Sequence, residues 1–289
     1  MISDNETTTV YFSALLKTDP RYAGFCNNLT AILQKHKINH HFLENTNDIW
    51  CRDYMPVQVS EDKFIEYRYD PDYLQSVKER RFKSYPDLIM AGLNIKTEKT
   101  DIILDGGNVV KFGNKVIMTD KIIPENSPKY LKHELLEKLE NLFEATIILI
   151  PWLHDTNPKK DFGHADGMVR FIDEKTVLID SFLANEKKSG PTGEKFRSTL
   201  RKNHLEYIPL HFTFPYNKQK DKNWGYVNFL QMKDLLLMPV FGINEDKEAE
   251  AQFHHLFPSY SSKNQIETIN ANEIIKEGGV LNCISWNVI

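Results

Sequence analysis

The sequence predicts an α/β protein, and three observations predict it. Apolar, β-rich runs of four or five residues alternate with segments whose apolar positions recur with a period near 3.6. This strand, helix, strand unit returns four or five times at intervals of about 50 to 60 residues, which reads as internal repetition. No Gly/Ser/Pro-rich linker or low-complexity tract interrupts the 289 residues, so one domain over residues 1–289 is expected.

Each unit can be justified in order. Thr9-Val-Tyr-Phe-Ser13 is β-branched and aromatic and reads as a strand. Tyr22, Phe25, Cys26, Leu29, Ile32 and Leu33 then form a helical stripe, and residues 40–43 return to strand. Residues 67–90 read as loop and helix, and residues 102–104 as a strand end. Ser127 suggests an N-cap with Pro128 at the first helical position, followed by Leu131, Leu135, Leu139 and Leu142 on one face. Strands are expected at residues 146–150, 176–179, 205–208, 235–238 and 280–284. Helices are expected near Phe196 and Leu200 and through Phe253, Leu256 and Phe257. The loop-rich stretches 67–95 and 183–195 are candidates for lids.

Composition narrows the function. Hydrophobic residues at 41% supply a sizeable core and exclude a disordered chain. Thirty-six Lys and Arg against 40 Asp and Glu leave a net charge of −4, with no basic stretch to track a phosphate backbone, so nucleic acid is not an expected partner. The longest apolar runs fall far short of the roughly 20 residues that span a bilayer. The first residues lack the basic and apolar segments of a signal peptide, so a cytoplasmic protein without a membrane partner is expected. The three cysteines, Cys26, Cys51 and Cys283, are too scattered for a disulfide framework and read as free thiols.

Four short polar motifs sit at the ends of the apolar runs, where loops on a rigid scaffold carry function: residues 48–56, 104–108, 162–167 and 278–285. Cys283 follows a Gly-Gly pair in a β-rich run and is either a small buried hydrophobe or a nucleophile approached closely by ligand. Cys26 lies on its helical stripe and belongs to the core. Strand alternation sets Asp53 on the face opposite Arg52, and Cys51 is read as turned away from both. Asp53 beside Trp50 is a carboxylate next to an aromatic wall, suited to a cation or to a turn. On an extended segment His164 and Asp166 share a face, as an acid/base and a carboxylate or as a loop pair. Asp105 before Gly106-Gly107 is either a turn residue or a projecting carboxylate. His254 and His255 read as surface or filler. His164, Asp166, Asp105 and Asp53 carry no metal-site spacing, and neither phosphate-loop nor Gly-x-Ser-x-Gly motifs occur.

Taken in chain order, Trp-x-Arg-Asp, Asp-Gly-Gly-Asn, Gly-His-x-Asp-Gly, Asn-Phe and a late Gly-Gly-x-x-x-Cys resemble the agmatine deiminase and bacterial-type peptidylarginine deiminase family of guanidine-modifying enzymes. The resemblance runs from about Tyr11 to the last residues, and it is the motif order that makes it specific. It implies the pentein fold, an α/β propeller of five ββαβ-like units around a pseudo-fivefold axis with the active site at the centre.

Position by position, the resemblance implies Cys283 as nucleophile, His164 as general acid/base, Asp53 and Asp166 as carboxylates binding the guanidinium, and Asp105 as the residue orienting the histidine. Trp50 would wall the pocket, with Arg52, Gly107 and Asn228 as further substrate-site positions. The implied reaction is hydrolysis of agmatine to N-carbamoylputrescine and ammonia in polyamine metabolism, through a thiouronium on the cysteine and without metal or organic cofactor. The implied partner is a small guanidinium substrate, and self-association stays open. Other guanidine deiminases, an amidinotransferase and a non-catalytic pentein binding protein are the alternatives. The chain reads Asn282-Cys283-Ile284-Ser285 where relatives commonly carry His-Cys-x-Thr, and Met55 where they carry Gly.

Overall fold

A computed structural model describes residues 1–153, 162–213 and 223–289. Its fifteen strands form five three-stranded sheets. The strands are β1 (Thr9–Ser13), β2 (Asn39–Leu43), β3 (Val57–Gln58), β4 (Phe64–Arg68), β5 (Glu98–Ile103), β6 (Val110–Phe112), β7 (Lys115–Thr119), β8 (Thr146–Ile150), β9 (Val169–Phe171), β10 (Thr176–Ile179), β11 (Glu206–Pro209), β12 (Leu230–Met232), β13 (Leu235–Val240), β14 (Ile266–Asn270) and β15 (Ser285–Val288).

Every sheet repeats one plan. A short outer strand runs antiparallel to a central strand, which pairs in parallel with the third. The parallel step needs a crossover, which four of the units make with an amphipathic helix. Ala23–Lys35 buries Phe25, Cys26, Leu29 and Leu33, and Lys132–Phe143 buries Leu135, Leu139 and Phe143. Glu186–Lys202 buries Phe196 and Leu200, and Glu245–Leu256 buries Ala249 and Phe253. Central strands are covered on both faces: Val116, Ile117 and Met118 of β7 and Leu235 to Met238 of β13 are fully buried. The crossover from β4 to β5 differs, using a 3-10 turn (Asp72–Leu74) and two short helices, Val77–Arg80 and Pro86–Met90.

Each of the five outer strands follows a turn, β15 directly and the other four after one or two residues. The turns are Cys51–Tyr54 before β3, Gly106–Asn108 before β6, Ala165–Gly167 before β9, Asn223–Val227 before β12, and residues 281–284 before β15. Neighbouring turns touch in a closed cycle. The Arg52 amide donates to the Cys283 carbonyl at 3.1 Å, and the Asn282 amide donates to the Asn228 carbonyl at 3.0 Å, which closes it. The polar motifs are thereby gathered at one centre.

Several expectations change. Residues 280–284 form turns and not a strand, because the Asn228 side-chain oxygen takes the backbone amides of Asn282 and Cys283 at 3.1 and 3.2 Å, removing them from any ladder. Residues 51–54 are helical and not extended: Asp48 accepts from the Trp50 amide at 3.0 Å and the Met55 amide reaches the Cys51 carbonyl at 3.1 Å. His164 is extended, but Asp166 lies within the 3-10 turn that follows it. The helix expected from Ser127 begins at Lys132, where the Glu134 carboxylate accepts the Leu131 amide at 2.9 Å. Residues 186–202 form two helical pieces joined at a kink at Gly190, with Asn185 capping the Lys188 amide, in place of the expected loop.

Candidate active site

A cavity of about 320 Å³ opens over the cycle of turns, walled by Trp50, Asp53, Tyr69, Tyr73, Phe162, His164 and Cys283. Trp50 precedes the turn bearing Asp53, and its ring lies so close to the Gly279 backbone that a Cβ there would stand 2.4 Å from it. Glycine at 279 thus lets the cysteine-bearing segment pass the indole.

His164 is held from both ring nitrogens. Nε2 lies 3.0 Å from Asp105 Oδ2, and Nδ1 lies 3.5 Å from Asp53 Oδ1. Burial alone would lower the pKa of this imidazole, but Asp53 and Asp105 outweigh it and raise it to about 9. Asp53 Oδ1 also accepts the Gly107 amide at 3.1 Å. A Cβ on Gly107 would stand 2.6 Å from that oxygen and 2.7 Å from His164 Nδ1, so this position admits only glycine. Burial lifts Asp53 to about 7, against the attraction of His164 and with the nearby Asp105 and Asp166 adding to the rise.

Cys283 Sγ lies 3.4 Å from Asp166 Oδ2, and Asn282 Nδ2 donates to the same oxygen at 2.7 Å. Burial, with Asp166 and Asp53 nearby, pushes the thiol well above its ordinary range. The sulfur and the imidazole face one cavity without a hydrogen bond between them among the described residues. An electrophilic carbon lodged between them would meet a nucleophile on one side and a proton donor on the other.

Of the expected site residues, Trp50, Asp53, His164 and Cys283 line the cavity. Asp105 backs the imidazole, and Asp166, 1% exposed, lies against the sulfur. Gly107 supports Asp53 and does not line the cavity. Asn228, fully buried, holds the backbone of residues 282–283 and so positions the thiol from behind. Arg52 is a correction: the helical turn directs it away from the cavity, to the Asn287 side chain and, at 3.3 Å, the Asn282 carbonyl. Cys51 and Cys26 are buried, with Cys51 Sγ 3.2 Å from the Tyr54 hydroxyl.

Sequence reasoning missed Tyr69, Tyr73 and Phe162 on the cavity wall. Phe162 directly precedes the Gly-His pair, and the two tyrosines stand one helical turn apart, but in a stretch without periodicity they carry no signal of their own. Asp48 also reaches the cavity, and burial raises it to about 8. Among the described residues no group of three or more His, Cys, Asp and Glu is arranged to hold a metal ion, and no helix is long and apolar enough to cross a membrane.

The chain is similar to known proteins along its whole length. The family described as Porphyromonas-type peptidyl-arginine deiminase matches residues 5–288. A curated relative from Mycoplasma capricolum, provisionally named an agmatine deiminase, is 24% identical over 227 residues, covering 66% of this chain and 59% of the relative. One from Streptococcus mutans with the same provisional name is 22% identical, covering 90% of this chain and 79% of its own. The chain thus spans about three fifths of the length of the Mycoplasma relative it matches. Among solved structures, C. jejuni agmatine deiminase superposes with a TM-score of 0.74 at 17% identity, covering 100% of this chain and 95% of that one. DDAH from Pseudomonas aeruginosa superposes with a TM-score of 0.59 at 13% identity, covering 98% and 99%. Five small sheets in this arrangement are the pentein fold of those structures. The family match, spanning nearly every residue, places the chain in the Porphyromonas-type peptidyl-arginine deiminase family.

Proposed function

We propose that the protein is a cysteine-dependent guanidine deiminase and that agmatine is its first candidate substrate, giving N-carbamoylputrescine and ammonia. The observation that carries this reading is the convergence of Cys283, His164 and Asp53 on one cavity, with Asp166 against the sulfur and Asp105 behind the imidazole. A guanidinium is flat, cationic and a poor electrophile, so carboxylates that accept its N–H groups supply position and charge balance together. Its positive charge also offsets the acidic groups that hold the Cys283 proton in place, so that on substrate arrival the thiol gives its proton to solvent and is left as thiolate.

The sulfur then forms a bond to the central guanidinium carbon. As the carbon–nitrogen bond breaks, His164 gives its proton to the departing nitrogen, which leaves as ammonia, and a thiouronium remains on Cys283. His164 next takes a proton from water, whose oxygen bonds to the same carbon, and the carbon–sulfur bond breaks to release the ureido product and the thiolate. General acid/base assistance of this kind is worth about 10²- to 10⁴-fold. No cofactor enters this scheme.

Incubation with a haloacetamidine followed by peptide mass spectrometry tests the reading. The expected adduct sits on Cys283, agmatine protects against it, and ammonia is released from agmatine by the intact protein but not by Cys283→Ala. Absence of turnover with agmatine, arginine peptides and methylated guanidines, together with an unlabelled Cys283, would overturn it.

A further inference from the structure

Lys121 is buried to 1% exposure at the cavity end of the molecule, yet it does not line the cavity. Its ammonium donates to the Phe162 carbonyl at 2.9 Å, on the segment that carries His164. It lies 3.7 Å from Asp105 Oδ2, the same oxygen that holds His164 Nε2, and 3.1 Å from Glu125. Its fourth partner is of another kind. Asp72, 3.0 Å away, has a side chain 59% exposed and belongs to the short turn Asp72–Leu74 between β4 and β5. Tyr73 of that turn packs edge-on against Phe162 at 5.0 Å and against His164 at 6.1 Å, and it lies beneath the Lys121 ammonium at 5.0 Å. Tyr69, Tyr73 and Leu74 wall the cavity on the same side.

A buried lysine of this kind costs desolvation energy that hydrophobic packing would avoid, and it stays only where several acceptors converge on it. Three of its four acceptors come from places that the reaction needs in register: the carboxylate behind the imidazole, the backbone leading to the imidazole, and the aromatic cover.

We propose that Lys121 is a positioning residue that fastens the covering turn to the Asp105–His164 pair, so that closing the cavity and orienting the acid/base group are one event. The orienting half rests on the deiminase reading; the fastening half does not. Asp72→Asn loosens only the cover, whereas Lys121→Met releases the cover and the histidine's support together.

The test uses the full chain, with two readouts. The first is the rate at which iodoacetamide alkylates Cys283, followed by peptide mass spectrometry, which needs no substrate. Asp72→Asn is expected to speed it about fivefold, as loosening a lid does, and Lys121→Met to speed it as much, with no further gain in the double variant. The second is turnover of agmatine. Asp72→Asn is expected to raise KM with little change in kcat, and Lys121→Met to lower kcat by about tenfold or more, the scale of a misplaced catalytic group. An alkylation rate and KM unchanged in Asp72→Asn overturn the fastening. A folded Lys121→Met variant with unchanged kcat overturns the orienting role. If Lys121→Met does not fold, as a lost thermal transition would reveal, the Asp72→Asn results decide. Faster alkylation in a protein that deiminates no guanidine would keep the fastening and sink the deiminase reading instead.

Discussion

In the proposed reaction two neighbours, Asp53 and His164, give up their protons at different pH. Asp53 is raised to about 7 and His164 to about 9. As pH falls through 7, Asp53 takes a proton and the guanidinium loses a clamp. As pH rises through 9, His164 loses the proton that departing ammonia needs. The profile of kcat/KM, which reports the free enzyme, should therefore fall below about pH 7, and because the Cys283 thiol is also held protonated its maximum should lie on the alkaline side, bounded by the loss of the His164 proton. A profile that keeps rising beyond pH 10 would exclude His164 as the acid. Cys283, His164, Asp53 and Asp105 were legible in the sequence because each stands in a short polar motif beside an apolar run. Arg52 was assigned to the site by the resemblance alone, whereas both the alternation read from the sequence and the helical turn direct it away from Asp53 and the cavity.

At the level of elements, the central strands β1, β10 and β13 and the crossover helices were legible, and the central strands β4 and β7 and the outer strands were not. β1, β8 and β10 fall on their expected residues because runs of four or five residues dominated by β-branched, aromatic and leucine side chains are a strong local signal. β3, β6, β9 and β12, of two or three residues, are too short to carry a period, and tertiary pairing makes them. Side chains also stand in for backbone at the junctions. The Asp246 carboxylate accepts the amides of Phe241, Gly242 and Ile243 at 2.9, 2.7 and 3.0 Å and the Tyr226 hydroxyl at 2.7 Å, tying the end of β13 to the turn that leads to Asn228. Asp246→Ala leaves four donors without their acceptor and should cost about 2 to 4 kcal/mol, measured by urea unfolding. A change below about 0.5 kcal/mol, the level of an ordinary surface substitution, would show that the clamp is dispensable.

Across the whole molecule, a second cluster of buried charge stands outside the cavity lining. Asp4 Oδ2 accepts from Arg170 at 2.8 Å, and Asp4 Oδ1 lies 3.5 Å from Lys111, whose ammonium also reaches the Ile2 carbonyl. Burial opposes ionisation of Asp4, yet Lys111, Arg170 and Arg52 together hold its carboxyl down from 3.8 to about 2. That stabilisation is fully present above the ordinary carboxylate value and is lost as pH falls toward 2. Asp4→Asn leaves buried cations uncompensated and should cost about 3 kcal/mol at neutral pH, seen as a lower thermal midpoint. The difference from the native protein should vanish near pH 2; a constant difference across that range would mean that the charge is not what matters.

β15 pairs with β1, so the turn that presents Cys283 is seated only when the two ends of the described fold meet. A ribosome releases Asp53, Asp105, His164 and Asp166 well before Cys283. Under the proposed mechanism, a nascent polypeptide that has not yet passed residue 283 holds the carboxylates and the imidazole but no nucleophile.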